Sequence, residues 1–132
     1  FLLVRLAQER GRPFRVLIVD DEEWVRDVFR DFCRTTDAFD VDLADGGAEA
    51  LQKVEAGQYD LVTVDLIMPE MSGLEVLAEI KRLRPRTPVV VVTGNATDKI
   101  VHEAGLLGAC RVLYKPVEMQ DFIAEVTSAL DR

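Results

Sequence analysis

Short aliphatic runs alternate along this chain with stretches in which apolar residues recur every three or four positions. The runs are Val16–Val19, Val41–Ala44, Leu61–Val64, Val89–Val92 and Val112–Tyr114. Three are almost continuously aliphatic, as expected of parallel strands covered on both faces. Between them, Val25, Val28, Phe29 and Phe32 make one apolar stripe at helical spacing, and Leu74, Leu77, Ile80 and Leu83 make another. Phe122, Ile123, Val126 and Leu130 make a third, with shorter stripes at Ala48, Leu51, Val54 and at Ile100, Val101, Ala104. Ser72-Gly73-Leu74-Glu75 reads as a capping box opening the third helix, and Gly57 and Gly108 stand where helices end. Five strands alternating with five helices predict an α/β fold, a doubly wound parallel sheet whose functional groups gather outside the carboxyl ends of its strands.

Composition narrows the class further. With 132 residues the chain holds one domain, and sixteen basic against twenty-four acidic residues give a net charge of −8. Nucleic-acid phosphates are bound by Lys and Arg, so no direct nucleic acid binding is expected of this domain. The apolar runs, Val89–Val92 among the longest, fall far below the about 20 residues of a membrane span, so no membrane partner is expected. Cys33 and Cys110 sit far apart within apolar patterns, which suggests buried thiols in a reducing cytoplasm rather than a disulfide or a metal pair. Gly11-Arg12-Pro13 is a breaker cluster. Residues 1–13 are therefore read as a linker, an upstream tail or a tag remnant, and residues 14–132 as the domain. The first residue is Phe1 rather than Met, which suggests a fragment or a tag, and Phe1–Ala7 lacks the cationic start and cleavage site of a signal peptide.

The strand ends carry the candidate chemistry. Asp20 and Asp21 follow the first strand, Asp65 the third, Thr93 the fourth, and Lys115-Pro116 the fifth. Asp60 begins the third strand, so at about 3.3 Å per residue it lies roughly 16 Å from Asp65 and serves as a strand-entry residue. Each pair of like charges at about 4 Å costs roughly 4 kcal/mol at an effective dielectric of 20. One lysine does not balance three carboxylates, and an all-oxygen donor set with room for a phosphate describes Mg²⁺. A metal held by carboxylates, beside a carboxylate nucleophile and a lysine, suits phosphoryl transfer.

These residues carry a resemblance. Val16-Leu17-Ile18-Val19-Asp20-Asp21-Glu22, Asp65-Leu66-Ile67-Met68-Pro69-Glu70-Met71-Ser72-Gly73, Val92-Thr93-Gly94 and Lys115-Pro116 closely resemble the receiver domain of two-component response regulators, from Phe14 to about Leu130. The resemblance implies a flavodoxin-like fold with strand order 2-1-3-4-5. It implies that Asp65 accepts a phosphoryl group from a sensor histidine kinase or histidine phosphotransfer protein. It further implies that Asp20, Asp21, Asp65 and the backbone carbonyl of Ile67 hold Mg²⁺, that Lys115 and Thr93 bind the phosphoryl group, and that the peptide before Pro116 is cis. Such a domain is a cytoplasmic switch, not an enzyme beyond its own phosphotransfer and autodephosphorylation. Its fourth and fifth helices would serve an output domain or self-association.

Two positions depart from the family pattern. Val112 stands where the family places Tyr or Phe, three residues before the site lysine, and Tyr114, on the same face by period 2, is a possible substitute. Ile67 puts an apolar side chain where it can hinder the water that hydrolyses an acyl phosphate. His102 lies on the fourth helix, away from the strand ends, and reads as a surface residue. A haloacid-dehalogenase-type phosphatase would need a second Asp two residues after Asp65, where Ile67 stands. A dinucleotide-binding module would need a Gly-rich turn where Asp20-Asp21-Glu22-Glu23 stands. A degenerate receiver used only for docking would not need the full set of strand-end residues.

Overall fold

The computed structural model describes residues 2–131; Phe1 and Arg132, the outer ends of the two segments read from the sequence, lie outside the described residues. Strands β1 (Phe14–Val19), β2 (Phe39–Ala44), β3 (Leu61–Asp65), β4 (Val89–Thr93) and β5 (Arg111–Tyr114) form one parallel sheet in the order β2-β1-β3-β4-β5. Six helices accompany it: α1 (Leu2–Arg10), α2 (Glu23–Cys33), α3 (Gly47–Ala56), α4 (Gly73–Leu83), α5 (Asp98–Leu106) and α6 (Met119–Leu130).

Alternation along the strands divides the core in two. Leu17, Val19, Val62, Val64, Val89 and Val91 face one side and pack on Ala50 and Val54 of α3, Val76, Leu77 and Ile80 of α4, and Ala104 of α5. Val16, Ile18, Leu61, Val90 and Val92 face the other and pack on Val25, Phe29 and Cys33 of α2 and Phe122, Val126 and Ala129 of α6. Phe29 and Phe122 stack there with ring centroids 4.7 Å apart. The predicted stripes supply Val25, Phe29, Val54, Leu77, Ile80, Ala104, Phe122 and Val126 of these rows, whereas Val28 and Ala48 are exposed and Cys33, Ala50, Val76 and Ala129 complete the contacts. Ser72 caps the third of the expected helices, its Oγ accepting the Glu75 N–H at 3.3 Å. Cys33 is buried and Cys110 half-buried, both as free thiols, and burial pushes the Cys33 thiol up to about 12. His102 is exposed on α5. No helix among the described residues is long and apolar enough to cross a membrane.

The helix count corrects the expectation of five. The additional helix is α1, in the segment read as linker, tail or tag. Leu3 and Ala7, one turn apart, are buried against Phe14 and Ala38, with Phe39 and Leu130 at the margin. Gly11 ends the helix in the left-handed region (φ 77°), where its N–H reaches the Gln8 carbonyl at 3.1 Å and the Arg12 N–H reaches Ala7 at 3.3 Å. That is a Schellman closure, so the glycine that reads as a linker breaker is a helix stop. Arg10 completes the attachment, pairing with Asp60 at 3.0 Å and lying 4.4 Å from the centre of the Phe14 ring. An isolated helix of nine residues is marginal in water, and α1 is held by these distant partners rather than by its own propensity.

Candidate functional site

Every strand here enters at one edge of the sheet and leaves at the other, so residues that follow the strands meet. Asp20 lies just beyond β1, Asp65 is the last residue of β3, Thr93 the last of β4, and Lys115 the first after β5. Asp20, Asp65 and Thr93 are all buried. Asp60 lies at the opposite edge, accepting the Arg15 N–H at 2.8 Å as well as pairing with Arg10, in keeping with a strand-entry role.

Lys115 ties the site together. Its Nζ stands 2.8 Å from Asp20 Oδ2, 3.1 Å from Asp65 Oδ2 and 3.9 Å from Glu22 Oε1. The Lys115–Pro116 peptide is cis, and the Lys115 N–H donates to the Thr93 carbonyl at 2.9 Å. The remaining carboxylate oxygens of Asp65 and Asp20 are held by backbone. The Ile67 N–H donates to Asp65 Oδ1 at 3.1 Å, and the Glu22 N–H donates to Asp20 Oδ1 at 2.9 Å. Gly73 allows α4 to start against the end of β3, since a Cβ there would collide with the Asp65 carbonyl and the Leu66 Cα.

Electrostatics agree with one cation facing several anions. Burial raises the Asp65 carboxyl above its ordinary 3.8; the Ile67 N–H and Lys115 pull it back, and the Asp20 charge adds to the rise. Burial works against the Lys115 ammonium, but hydrogen bonds and charge from Asp20 and Asp65 outweigh it and hold the group above 10.5.

Oxygen atoms of Asp20, Asp21 and Asp65 lie within 4.8 Å of one another. Asp21 Oδ1 is buried with no hydrogen-bond partner among the described residues. Three converging carboxylates, one with an orphaned oxygen, fit a hard divalent ion with oxygen ligands. Thr93 Oγ1 is a second such atom at this edge of the sheet, buried and without a hydrogen-bond partner among the described residues.

Val112 is half-buried against the core on the α3–α5 side, while Tyr114 pairs in register with Thr93 and is 60% exposed. Ile67 is also exposed, at 45%. Three residues at the start of α2, its N-cap Glu22 with Trp24 and Arg26 of its first turn, enter the site without having been singled out from the sequence. Glu22 reaches Lys115, the Trp24 indole N–H donates to Glu22 Oε2 at 2.9 Å, and Arg26 Nη1 donates to the Asp20 carbonyl at 2.8 Å. Glu22 was legible only as part of a motif, and nothing in the spacing marks Trp24 or Arg26 as site residues. Glu70, the one non-glycine at positive φ (68°) among the described residues, centres a turn closed by the Met71 N–H on the Pro69 carbonyl at 2.8 Å.

A flavodoxin-like doubly wound sheet with acidic groups and a lysine converging at its carboxyl edge defines the class of domain. The response regulator receiver domain profile matches residues 16–127. The chain belongs to that family. It is 32% identical to the chemotaxis protein CheY of Treponema pallidum (strain Nichols) over 123 residues, covering 91% of this chain and 85% of that protein. It is 34% identical to the response regulator MprA of Mycolicibacterium vanbaalenii over 122 residues, which is 91% of this chain and 52% of the relative. For a protein-glutamate methylesterase/protein-glutamine glutaminase of Treponema denticola the figures are 38% identity and 28% of the relative's length. The chain thus spans about half or less of several relatives. Among solved structures, a CheY-like receiver domain protein from Methanospirillum hungatei JF-1 superposes with a TM-score of 0.87 at 29% identity, covering 90% of this chain and 94% of that one.

Proposed function

We propose that Asp65 accepts a phosphoryl group from the phosphohistidine of a sensor histidine kinase or a histidine phosphotransfer protein, and that residues 14–132 act as a cytoplasmic switch for a downstream output. The observation that carries this reading is the buried Asp65 carboxylate held 3.1 Å from Lys115 Nζ, beside two further aspartates whose oxygens converge with it. Asp20, Asp21, Asp65 and the Ile67 carbonyl would hold Mg²⁺. Bound there, the ion would neutralise charge on the phosphoryl oxygens during transfer. The Ile67 N–H and Lys115 orient the Asp65 carboxylate, and Lys115 remains as a cation for the phosphoryl group once Asp65 is modified.

Thr93 is suited to the readout because its hydroxyl is buried and has no partner among the described residues, ready to donate to a new anionic oxygen. Hydrogen bonds to charged groups contribute about 1.5–3 kcal/mol each, so Thr93 and Lys115 together supply roughly 3–6 kcal/mol. Moving a two-state equilibrium from 1:99 to 99:1 takes about 5.5 kcal/mol. Two contacts of this kind suffice for a poised domain. Tyr114, beside Thr93 in register and exposed, would substitute for the aromatic that Val112 does not supply, and α5 and α6 would carry the signal to an output domain or a second copy.

The test is incubation with acetyl phosphate and Mg²⁺ followed by intact-mass measurement. A phosphoryl mass increment that disappears in Asp65→Asn is expected; no increment, or one that survives the substitution, overturns the reading.

A further inference from the structure

Glu22 stands at the mouth of the site with both carboxylate oxygens engaged. Oε1 is 3.9 Å from Lys115 Nζ, and Oε2 accepts the Trp24 indole N–H at 2.9 Å. Trp24 is otherwise an unusual choice, a large aromatic 64% exposed at the start of α2. Its hydrogen bond gives the ring a purpose that burial does not, since it fixes a flexible, half-exposed carboxylate toward the lysine.

The surroundings make that extra negative charge count. Lys115 is already shared with Asp20 and Asp65. Arg26 is directed to the Asp20 carbonyl. On the α3 side lies a groove of about 870 Å³, lined by Asp21, Glu23, Asp45, Glu49 and Glu70 among others, with Arg26 as its basic residue. The groove shares Asp21 with the carboxylate cluster, so negative charge continues outward from the site along the flank of the β1–α2 turn that carries Glu22.

We propose that Glu22, oriented by Trp24, determines which phosphoryl donors the site takes, disfavouring small donors whose charge is wholly negative relative to donors with a protonated nitrogen on phosphorus. The proposal rests on Asp65 being the acceptor. In either case an Asp65 oxygen forms the new bond to phosphorus. With acetyl phosphate the P–O bond breaks and acetate leaves with the electron pair. With phosphoramidate the P–N bond breaks and the protonated nitrogen leaves with the pair as ammonia. Glu22 takes no part in either bond change. It attracts the protonated nitrogen and repels the acetyl phosphate dianion, whose carboxyl-derived end carries no compensating charge.

The experiment measures initial rates of Asp65 phosphorylation by acetyl phosphate and by phosphoramidate, at saturating Mg²⁺ and equal donor concentration, by intact mass. The ratio of the two rates cancels any change in metal affinity or in acceptor reactivity common to both donors. Glu22→Gln keeps the backbone N–H on Asp20 and removes only the charge. It should shift the ratio toward acetyl phosphate by about two- to fivefold, the range of an exposed charge interaction. The shift should fade in about 1 M salt, where the Debye length falls to roughly 3 Å. Trp24→Phe, which frees the Glu22 side chain, should shift the ratio the same way by less. An unchanged ratio in Glu22→Gln, or a shift that persists in high salt, overturns the assignment of Glu22. A shift there with none in Trp24→Phe overturns the role of Trp24. If neither donor modifies the wild-type protein at Asp65, the acceptor reading itself fails and donor selection falls with it.

Discussion

At the level of single residues, the metal-free protein holds Asp65 under opposing influences, and the balance leaves its carboxyl raised. A folded-state value above the unfolded one means that ionisation of Asp65 destabilises the fold. The penalty is absent below pH 3.8, grows as the pH rises through the raised folded value, and is constant above it. Asp65→Asn is therefore expected to stabilise the metal-free domain at neutral pH, by no more than the about 0.5–2 kcal/mol common for stabilising substitutions, and to lose that advantage as the pH falls toward 3.8. Denaturant titrations at pH 7 and near pH 4 check both the sign and the pH trend; a less stable variant at pH 7 would refute it. Mg²⁺ should narrow the difference, since at a hundredfold excess over its Kd a ligand adds about 2.7 kcal/mol to the form that binds it. Thr93 and Val112 offer a second comparison. Thr93→Ala removes an unpaired buried hydroxyl and should weaken the NMR response to phosphorylation well beyond the effect of Val112→Ala, which trims a packed side chain. Equal losses would place the readout elsewhere.

Among the elements, α1 differs most from the sequence reading. Its partners are Phe14, Ala38, Phe39 and Leu130, scattered over the chain, and its anchor is an ion pair fifty positions away. No local pattern encodes those contacts, which is why residues 1–13 read as a linker, an upstream tail or a tag remnant. The three inner strands were legible because rows buried on both faces are almost continuously aliphatic, and the two edge strands because shorter apolar runs stand between helical stripes, although β1 and β2 each start two residues before the expected runs, at Phe14 and Phe39. The strand-end residues were legible for the same reason, since the topology alone brings them to one edge. Glu22, Trp24 and Arg26 were not, because their roles depend on side-chain directions at the N-terminus of α2. Leu3→Ala tests the attachment of α1. Truncating a buried leucine costs about 2–5 kcal/mol, so the thermal midpoint should fall by roughly 5–15 °C. The Asp65 mass increment should persist below that midpoint. A midpoint shift of a degree or less would mean that α1 is not part of the stable unit.

Across the whole molecule, protection is unevenly distributed. β3 lies at the centre of the sheet with all five residues buried, between β1 and β4. β5 is an edge strand of four residues, with Arg111 and Tyr114 exposed. Regions with few buried contacts open locally at free energies well below global unfolding. Amides of Leu61–Asp65 should therefore exchange with deuterium only through global unfolding, while those of Arg111–Tyr114 exchange through a cheaper local opening. Native-state hydrogen exchange across a denaturant series would show the two sets merging only at high denaturant; coincident values throughout would exclude the difference. Asp65 belongs to the last part of the molecule to open, and Lys115 follows one of the first. Before the domain unfolds, thermal fluctuation can withdraw the lysine and leave the carboxylates in place, so the counter-charge of this site is a fluctuating quantity with its own opening rate.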